Sequence, residues 1–293
     1  DQRTEMTARE WPARVGAIIG NVEDAKAHAA TAVALAQKLR ERHELANACM
    51  YSGWLYALEG DWQTARELSD RALGLEPREP RNLATRALLE LQVGALDDGE
   101  RHLEQLLDPR RVTAWSLLEK FAMAAFLPMA ARVTGDDQRL DLARETAEAA
   151  LAATKMPPFM HLYGRIGLAF VAVQRTDRLL AAEQYAAFES QRGTAIMMAG
   201  IAVDRVLGLL AATLGQEEKA RRHLEDAIAF TRRANYRPEY AWAASDYADV
   251  LLEQGLPGDS ERAHELHDEA LATARSLAMR PLAERIVAHS AAS

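Results

Sequence analysis

One cysteine, Cys49, stands in 293 residues, so an intrachain disulfide is excluded and the framework needs no oxidising compartment. No apolar run approaches the roughly 18 residues of a membrane-crossing helix. No secretory leader opens the chain, and a cytoplasmic protein with no membrane partner is expected. Glycine (16) and proline (10) are sparse, and aromatic residues make up 6%. Alternating β-branched and aromatic runs are missing, which leaves little from which to build a sheet. Positive charge is in deficit: Lys and Arg total 35 against 43 Asp and Glu, for a net charge of −8. Contact with nucleic acid usually needs a basic face, so none is expected directly. The arginine pairs Arg40/Arg42, Arg110/Arg111, Arg221/Arg222 and Arg232/Arg233 are local. They read as solvated helix ends, where cations complement the helix dipole. Gly-x-Gly-x-x-Gly, Gly-x-x-x-x-Gly-Lys-Ser/Thr, Gly-x-Ser-x-Gly and His-Glu-x-x-His are all missing. His264 and His267 form an i, i+3 pair without a third ligand nearby, which reads as an exposed helix face. Cys49 lies on an apolar helix face and reads as packed. No catalytic residue, cofactor or metal is expected.

What the chain does have is alanine, placed periodically. Seven pairs of mostly small residues stand seven apart: Ala25/Ala32, Ala65/Ala72, Gly99/Leu106 and Ala143/Ala150, then Ala181/Phe188, Ala220/Ala227 and Ala263/Ala270. Seven residues are about two turns of helix, so both members face one way and suit a tight helix–helix contact. The mean spacing between pairs is about 40 residues, within the 20–50 range of a solenoid. Such units cannot bury their own apolar faces and stack in a row.

The pattern is sharpest from 45 to 109, where Gly60 and Gly94 stand 34 apart. Gly53-x-x-Tyr56-x-x-x-Gly60-Asp61-Trp62-x-x-Ala65, then Ala72 and Pro77, resembles the tetratricopeptide repeat (TPR), with Cys49 where the family often has Trp. The resemblance implies an all-α, right-handed superhelical solenoid of about seven helix pairs with a C-terminal capping helix. The longer units resemble the TPR region of bacterial signal-transduction ATPases, among them LuxR-type and maltotriose-responsive activators and cyclase-linked regulators. That likeness rests mainly on the last 65 residues, through Ala229–Trp242, Asp246–Glu253, Glu269–Ala272 and Leu277–Arg285.

The helix pairs are expected over 3–41, 44–76, 79–108, 112–154, 158–191, 195–234 and 238–278, with a cap over 280–290. Pro281 suits the first turn of that cap. Pro128 inside the helix that starts near Val112 predicts a kink or break near Leu127. It is either drift in one repeat or a bend that divides a front half, 1–155, from a back half, 156–293. The chain starts Asp1-Gln-Arg-Thr without an initiator methionine, and a piece of a longer polypeptide is expected.

The first helix of each TPR unit lines the concave face. The turn positions then put Asn47, Met50 and Trp54 on that face in the second unit, and Arg81, Ala84 and Leu88 in the third. Tyr163, Ile166 and Phe170 follow in the fifth, with Arg165 beside them. Arg205 and Leu209 follow in the sixth, and Trp242, Ser245 and Asp249 in the seventh. Aromatics with a few polar groups suit a ligand pocket or peptide groove, while Trp54, Phe170 and Trp242 could equally be inter-repeat core. Arg165 and Arg205 could clamp a carboxylate or phosphate, or Arg205 could pair with Asp204 or Asp246. The expected function is a TPR sensor or scaffold region of a bacterial regulator. It would bind a protein segment or small effector in the groove and relay this to domains outside the chain. The alternative is a free-standing adaptor that assembles partners without sensing. A closed aromatic pocket favours the sensor, and an open polar channel the adaptor.

Overall fold

The computed structural model describes residues 2–108, 117–152 and 158–292. Arg110, Arg111, the start of the helix expected from Val112, and the 155/156 division lie outside them. Fifteen α-helices are described. They are α1 Gln2–Ile19, α2 Val22–Leu39, α3 Arg42–Glu59, α4 Trp62–Leu75, α5 Pro80–Gln92, α6 Leu96–Leu107 and α7 Leu117–Thr134. Then follow α8 Leu140–Leu151, α9 Pro158–Gln174, α10 Arg178–Phe188, α11 Val203–Thr213, α12 Glu217–Arg233, α13 Arg237–Gln254, α14 Asp259–Ser276 and α15 Arg280–Ala292. Consecutive helices pack as hairpins, α1 on α2, α3 on α4 and so on, and neighbouring hairpins pack on each other. The result is an all-α solenoid.

Local chemistry sets the helix ends. Asp61, Glu79 and Asp177 accept from the backbone N–H of Thr64, Asn82 and Leu180, capping α4, α5 and α10. Gly60 ends α3 in the left-handed region at φ 83°, where a side chain would be strained. The small-residue pairs fall on the second helices of the hairpins, α2, α4, α6, α8, α10, α12 and α14, and every member is buried. Period also shows in the bonds between hairpins. Arg42 donates to Leu75 O, Arg81 to Asn47, Arg178 to Leu214 O, and Arg221 to Asp259, each reaching 33 to 38 residues along the chain.

Three features depart from expectation. First, of the kink or break expected near Leu127 the break does not occur, since α7 stays helical through Pro128. Proline removes the bond that would satisfy the Ala124 carbonyl, and Gly167 of α9 comes against that same carbonyl. A Cβ on Gly167 would stand 1.9 Å from Ala124 O, so only glycine fits this crossing. Gln174 Nε2 donates to Pro128 O at 3.2 Å and ties α9 to the same stretch. Second, residues 195–202, expected to open a helix, form an antiparallel β-hairpin, β1 Ala195–Ile196 with β2 Ile201–Ala202. Met198 and Gly200 take positive φ in its turn.

Third, the array closes on itself. The turns after α1, α3 and α5 rest on the turns before α13 and around the start of α15. Gly20 meets Phe230 and Ala234, Gly60 meets Leu277, and Gly94 meets Arg280 and Pro281. Tyr236 OH donates to Ala17 O, and Trp62 Nε1 donates to Leu277 O at 2.7 Å. Arg280 donates to Val93 O and Gly94 O at 3.2 and 2.9 Å. The front of the array thus rests against its end, and the inner face is a lumen bounded by both.

Candidate functional site

The first helices of the hairpins face this lumen, and they bring some of the expected residues together. Met50 and Trp54 of α3 and Trp242 of α13 meet across it, with Trp62, Phe126 and Met198 completing the wall of a cavity of about 90 Å³. Trp242 Nε1 donates to Gln92 Oε1 at 3.0 Å. The Trp54 indole N–H is buried and has no acceptor among the described residues. The β-hairpin tip closes one side: a Cβ on Gly200 would stand 2.7 Å from Leu58 and 3.7 Å from Trp54 Nε1. Ala195, Ile196, Met198, Ile201 and Ala202 are all buried, so the chain's own segment fills part of the inner face.

Beyond this Trp-lined chamber a chain of buried charges follows the face of α13. Glu239 accepts from Ala202 N at 2.8 Å and from Arg205 Nη1 at 2.7 Å. Arg205 Nε donates to Asp246 Oδ2 at 2.8 Å, and Asp246 Oδ1 accepts from Arg132 Nη2. Self-pairing is thus what Arg205 does, with Asp246 and Glu239 and not with Asp204. Its guanidinium also lies 5.4 Å from the Trp242 ring and 5.9 Å from the Phe170 ring. Burial pushes the Glu239 carboxyl up to about 7, against the pull of Arg205. Burial opposes ionisation of Asp246 as well, yet Arg132 and Arg205 hold it below its ordinary value.

The charge chain ends in a second chamber of about 480 Å³, lined by Arg132, Asp246, Asp249, Arg285 and His289 with Val173, Leu209 and Val250. Asp249 lies 3.1 Å from His267 Nε2 and 3.0 Å from both His289 Nδ1 and Arg285 Nη2. Despite burial, these neighbours hold Asp249 well below the ordinary carboxylate value. His267 is therefore buried against Asp249, which corrects its assignment to an exposed face; His264 does face solvent.

The remaining expected residues stand elsewhere. Arg81 and Asn47 bond to each other at 2.8 Å, and Tyr163 is buried within electrostatic reach of Arg81, Arg14 and Tyr51. Burial pushes the Tyr163 hydroxyl up. Arg165 turns to α10, meeting Gln184 and Glu183 at 3.2 and 3.5 Å, away from both chambers. Phe170 and Ser245 are buried, and Ser245 Oγ has no partner among the described residues. Cys49 is fully buried, and burial raises its thiol pKa.

One described group has metal-ligating types in reach: Asp204, His223 and Asp226 bring donor atoms within 4.8 Å of one another. His223 is already committed on both nitrogens, 3.0 Å from Asp204 Oδ1 and 3.0 Å from Tyr185 OH. The other Asp204 oxygen accepts from Gly193 N at 2.7 Å. The arrangement anchors the base of the β-hairpin.

Arg132, Glu239, Arg285 and His289 were not singled out in the sequence. The signal for Arg132 is present: it is the single charged residue in the apolar run Phe121–Val133. The other three look like ordinary surface positions of amphipathic helices. No helix among the described residues is long and apolar enough to cross a membrane. No family model matches the chain, and no curated protein matches it.

Proposed function

We propose that the chain is a sensor region of the tetratricopeptide type, with seven helix pairs in a right-handed superhelix and α15 as its cap. A small effector entering the Trp-lined chamber would be read by the lumen and relayed to domains of a bacterial regulatory protein outside this chain. The reading assigns binding and no catalysis. One observation carries it: the chamber between α3, α4, α5 and α13 is lined by three tryptophans and holds the buried N–H of Trp54, unpartnered among the described residues. Buried donors nearly always find an acceptor, so an effector with an apolar ring and one acceptor oxygen fits best. An aromatic-lined pocket also favours a sensor over an adaptor, which needs an accessible polar channel. The β-hairpin already occupies the inner face and leaves an extended peptide little room, which favours the small effector over a protein segment.

The test uses cyclopentanone as a minimal ring with one acceptor, and cyclopentane as its partner without one. Tryptophan emission and Tm are followed during titration. Saturable binding of the ketone, weaker binding of the hydrocarbon, and loss of that difference in Trp54→Phe are expected. Equal responses to the two probes, or an unchanged response in Trp54→Phe, would overturn the assignment.

A further inference from the structure

We propose that the second chamber is a binding site for a small organic acid, whose carboxylate sits between Arg132 and Arg285 and whose apolar body lies along Val173, Leu209 and Val250. The site is separate from the Trp-lined chamber, and the inference does not depend on what that chamber binds.

The first argument is unmatched donors. Arg132 is nine-tenths buried, with side-chain exposure of 10%, and its pairing is with Asp246. Its Nε is buried with no acceptor among the described residues, and so is the Nε of Arg285 across the same cavity. Two buried guanidinium N–H groups left without acceptors beside one chamber are costly, since each lost its water on burial.

The second argument is charge. Asp246 is shared by Arg132 and Arg205, and Arg205 also holds Glu239. Asp249 is shared by Arg285, His267 and His289. Glu253 stands at the exposed rim. Burial is the main cause that pushes Arg132 below its ordinary value, with the Arg205 and Arg285 cations adding to it against the pull of Asp246, and the buried carboxylates Asp246 and Asp249 are each already shared among cations.

The third argument is shape. At about 480 Å³ the cavity falls in the range of small-ligand sites, roughly 300–1,000 Å³. A guanidinium presents a planar fork of donors that matches a carboxylate in a bidentate pair. Inorganic phosphate would satisfy the fork but leave the apolar side of the chamber uncovered. A hydrocarbon-bearing acid covers both.

Isothermal titration on the full chain tests this with phenylacetate, its neutral isostere phenylacetamide, and inorganic phosphate. Phenylacetate is expected to bind at least about tenfold more tightly than phenylacetamide. Arg285→Gln is expected to remove most of that preference, and Trp54→Phe to leave it intact. Arg285 is partly exposed on the last helix, so this variant keeps its fold where Arg132→Gln, in the core, risks losing it. Equal binding of acid and amide, no heat from either, or an unchanged preference in Arg285→Gln would overturn the site. Phosphate binding as tightly as phenylacetate would overturn the assignment of an apolar body.

Discussion

The two layers of this solenoid are built by different rules. The second helices of the hairpins form the outer layer, and they repeat one device: a small buried residue, two turns, and another, as in Ala65/Ala72 and Ala220/Ala227. Every such contact is apolar and nearly interchangeable with the next. The inner layer repeats nothing. Trp54, Arg132, Phe170, Arg205 and Trp242 all face inward and follow no repeated pattern, mixing aromatic rings with arginines, and charges are buried there in a continuous chain. Repetition sets the shape, since each contact needs only its neighbour. Departure from repetition marks what the shape encloses. A buried ion network is weak evidence for stability, because replacing it with hydrophobes is often neutral or better. Its presence along the lumen therefore points to recognition more than to folding.

The sharpest way to break this contrast is to remove one charge inside and one alanine outside. Asp246→Asn leaves Arg132 and Arg205 without their shared carboxylate in the core, and it should lower unfolding free energy by about 3–5 kcal/mol. Ala72→Leu overpacks the outer contact of α4 and should cost roughly 1–3 kcal/mol. Urea denaturation ranks the two. If Asp246→Asn proves the milder change, the charge chain is not enclosed as described, and the inner layer tolerates change as an ordinary surface would.

The outer layer was largely legible in sequence, because its information is local. Two alanines seven apart and a glycine at a turn fix a hairpin without reference to anything distant, and the expected pairs match α1 to α14 within a few residues at most ends. Inward placement of Trp54, Arg205, Trp242 and Asp249 was legible from the same register. What could not be read was what joins residues far apart. Arg132 and Asp246 are 114 residues apart, and Tyr236 and Ala17 are 219 apart. Closure of the lumen depends on such contacts, so an open groove was expected where the structure has two chambers. The β-hairpin was missed because Ala195, Met197, Met198 and Ala199 are acceptable helix formers. Its formation follows from Gly193 and Gly200 and from the anchoring of Gly193 and Ala202 by Asp204 and Glu239.

Titration sharpens the contrast further, since the outer layer carries almost no buried acid. Glu239 keeps its proton in the folded state up to about 7, whereas in the unfolded chain it is released near 4.5. Over that window the folded state binds more protons, so stability falls as pH rises through it. The opposite holds for Asp246, held low in the folded state, whose contribution is lost as pH drops below 3.8. Tm should therefore decline from about pH 5 to about pH 8, and Glu239→Gln, which cannot titrate, should flatten that decline. A variant that keeps the full slope would place the titrating group elsewhere.

The smallest effect separates two tryptophans of one chamber. Trp62 and Trp54 both line the cavity between α3, α4, α5 and α13. The Trp62 N–H donates to Leu277 O at 2.7 Å and so helps hold the front of the array against its end. The Trp54 N–H donates to nothing among the described residues. Phenylalanine at either position removes the same pyrrole portion of the ring, so the difference between the variants isolates the hydrogen bond. Trp62→Phe loses a made bond and leaves a carbonyl short of its donor, which should cost about 1 kcal/mol beyond the lost volume. Trp54→Phe removes a donor whose burial is itself unfavourable, and that gain offsets part of its lost packing. Trp62→Phe should therefore melt lower than Trp54→Phe, although Trp54 is the more buried ring. The reverse order would mean that ring packing, not the hydrogen bond to Leu277, dominates at this closure, and that the Trp54 N–H carries no unmet demand for a ligand.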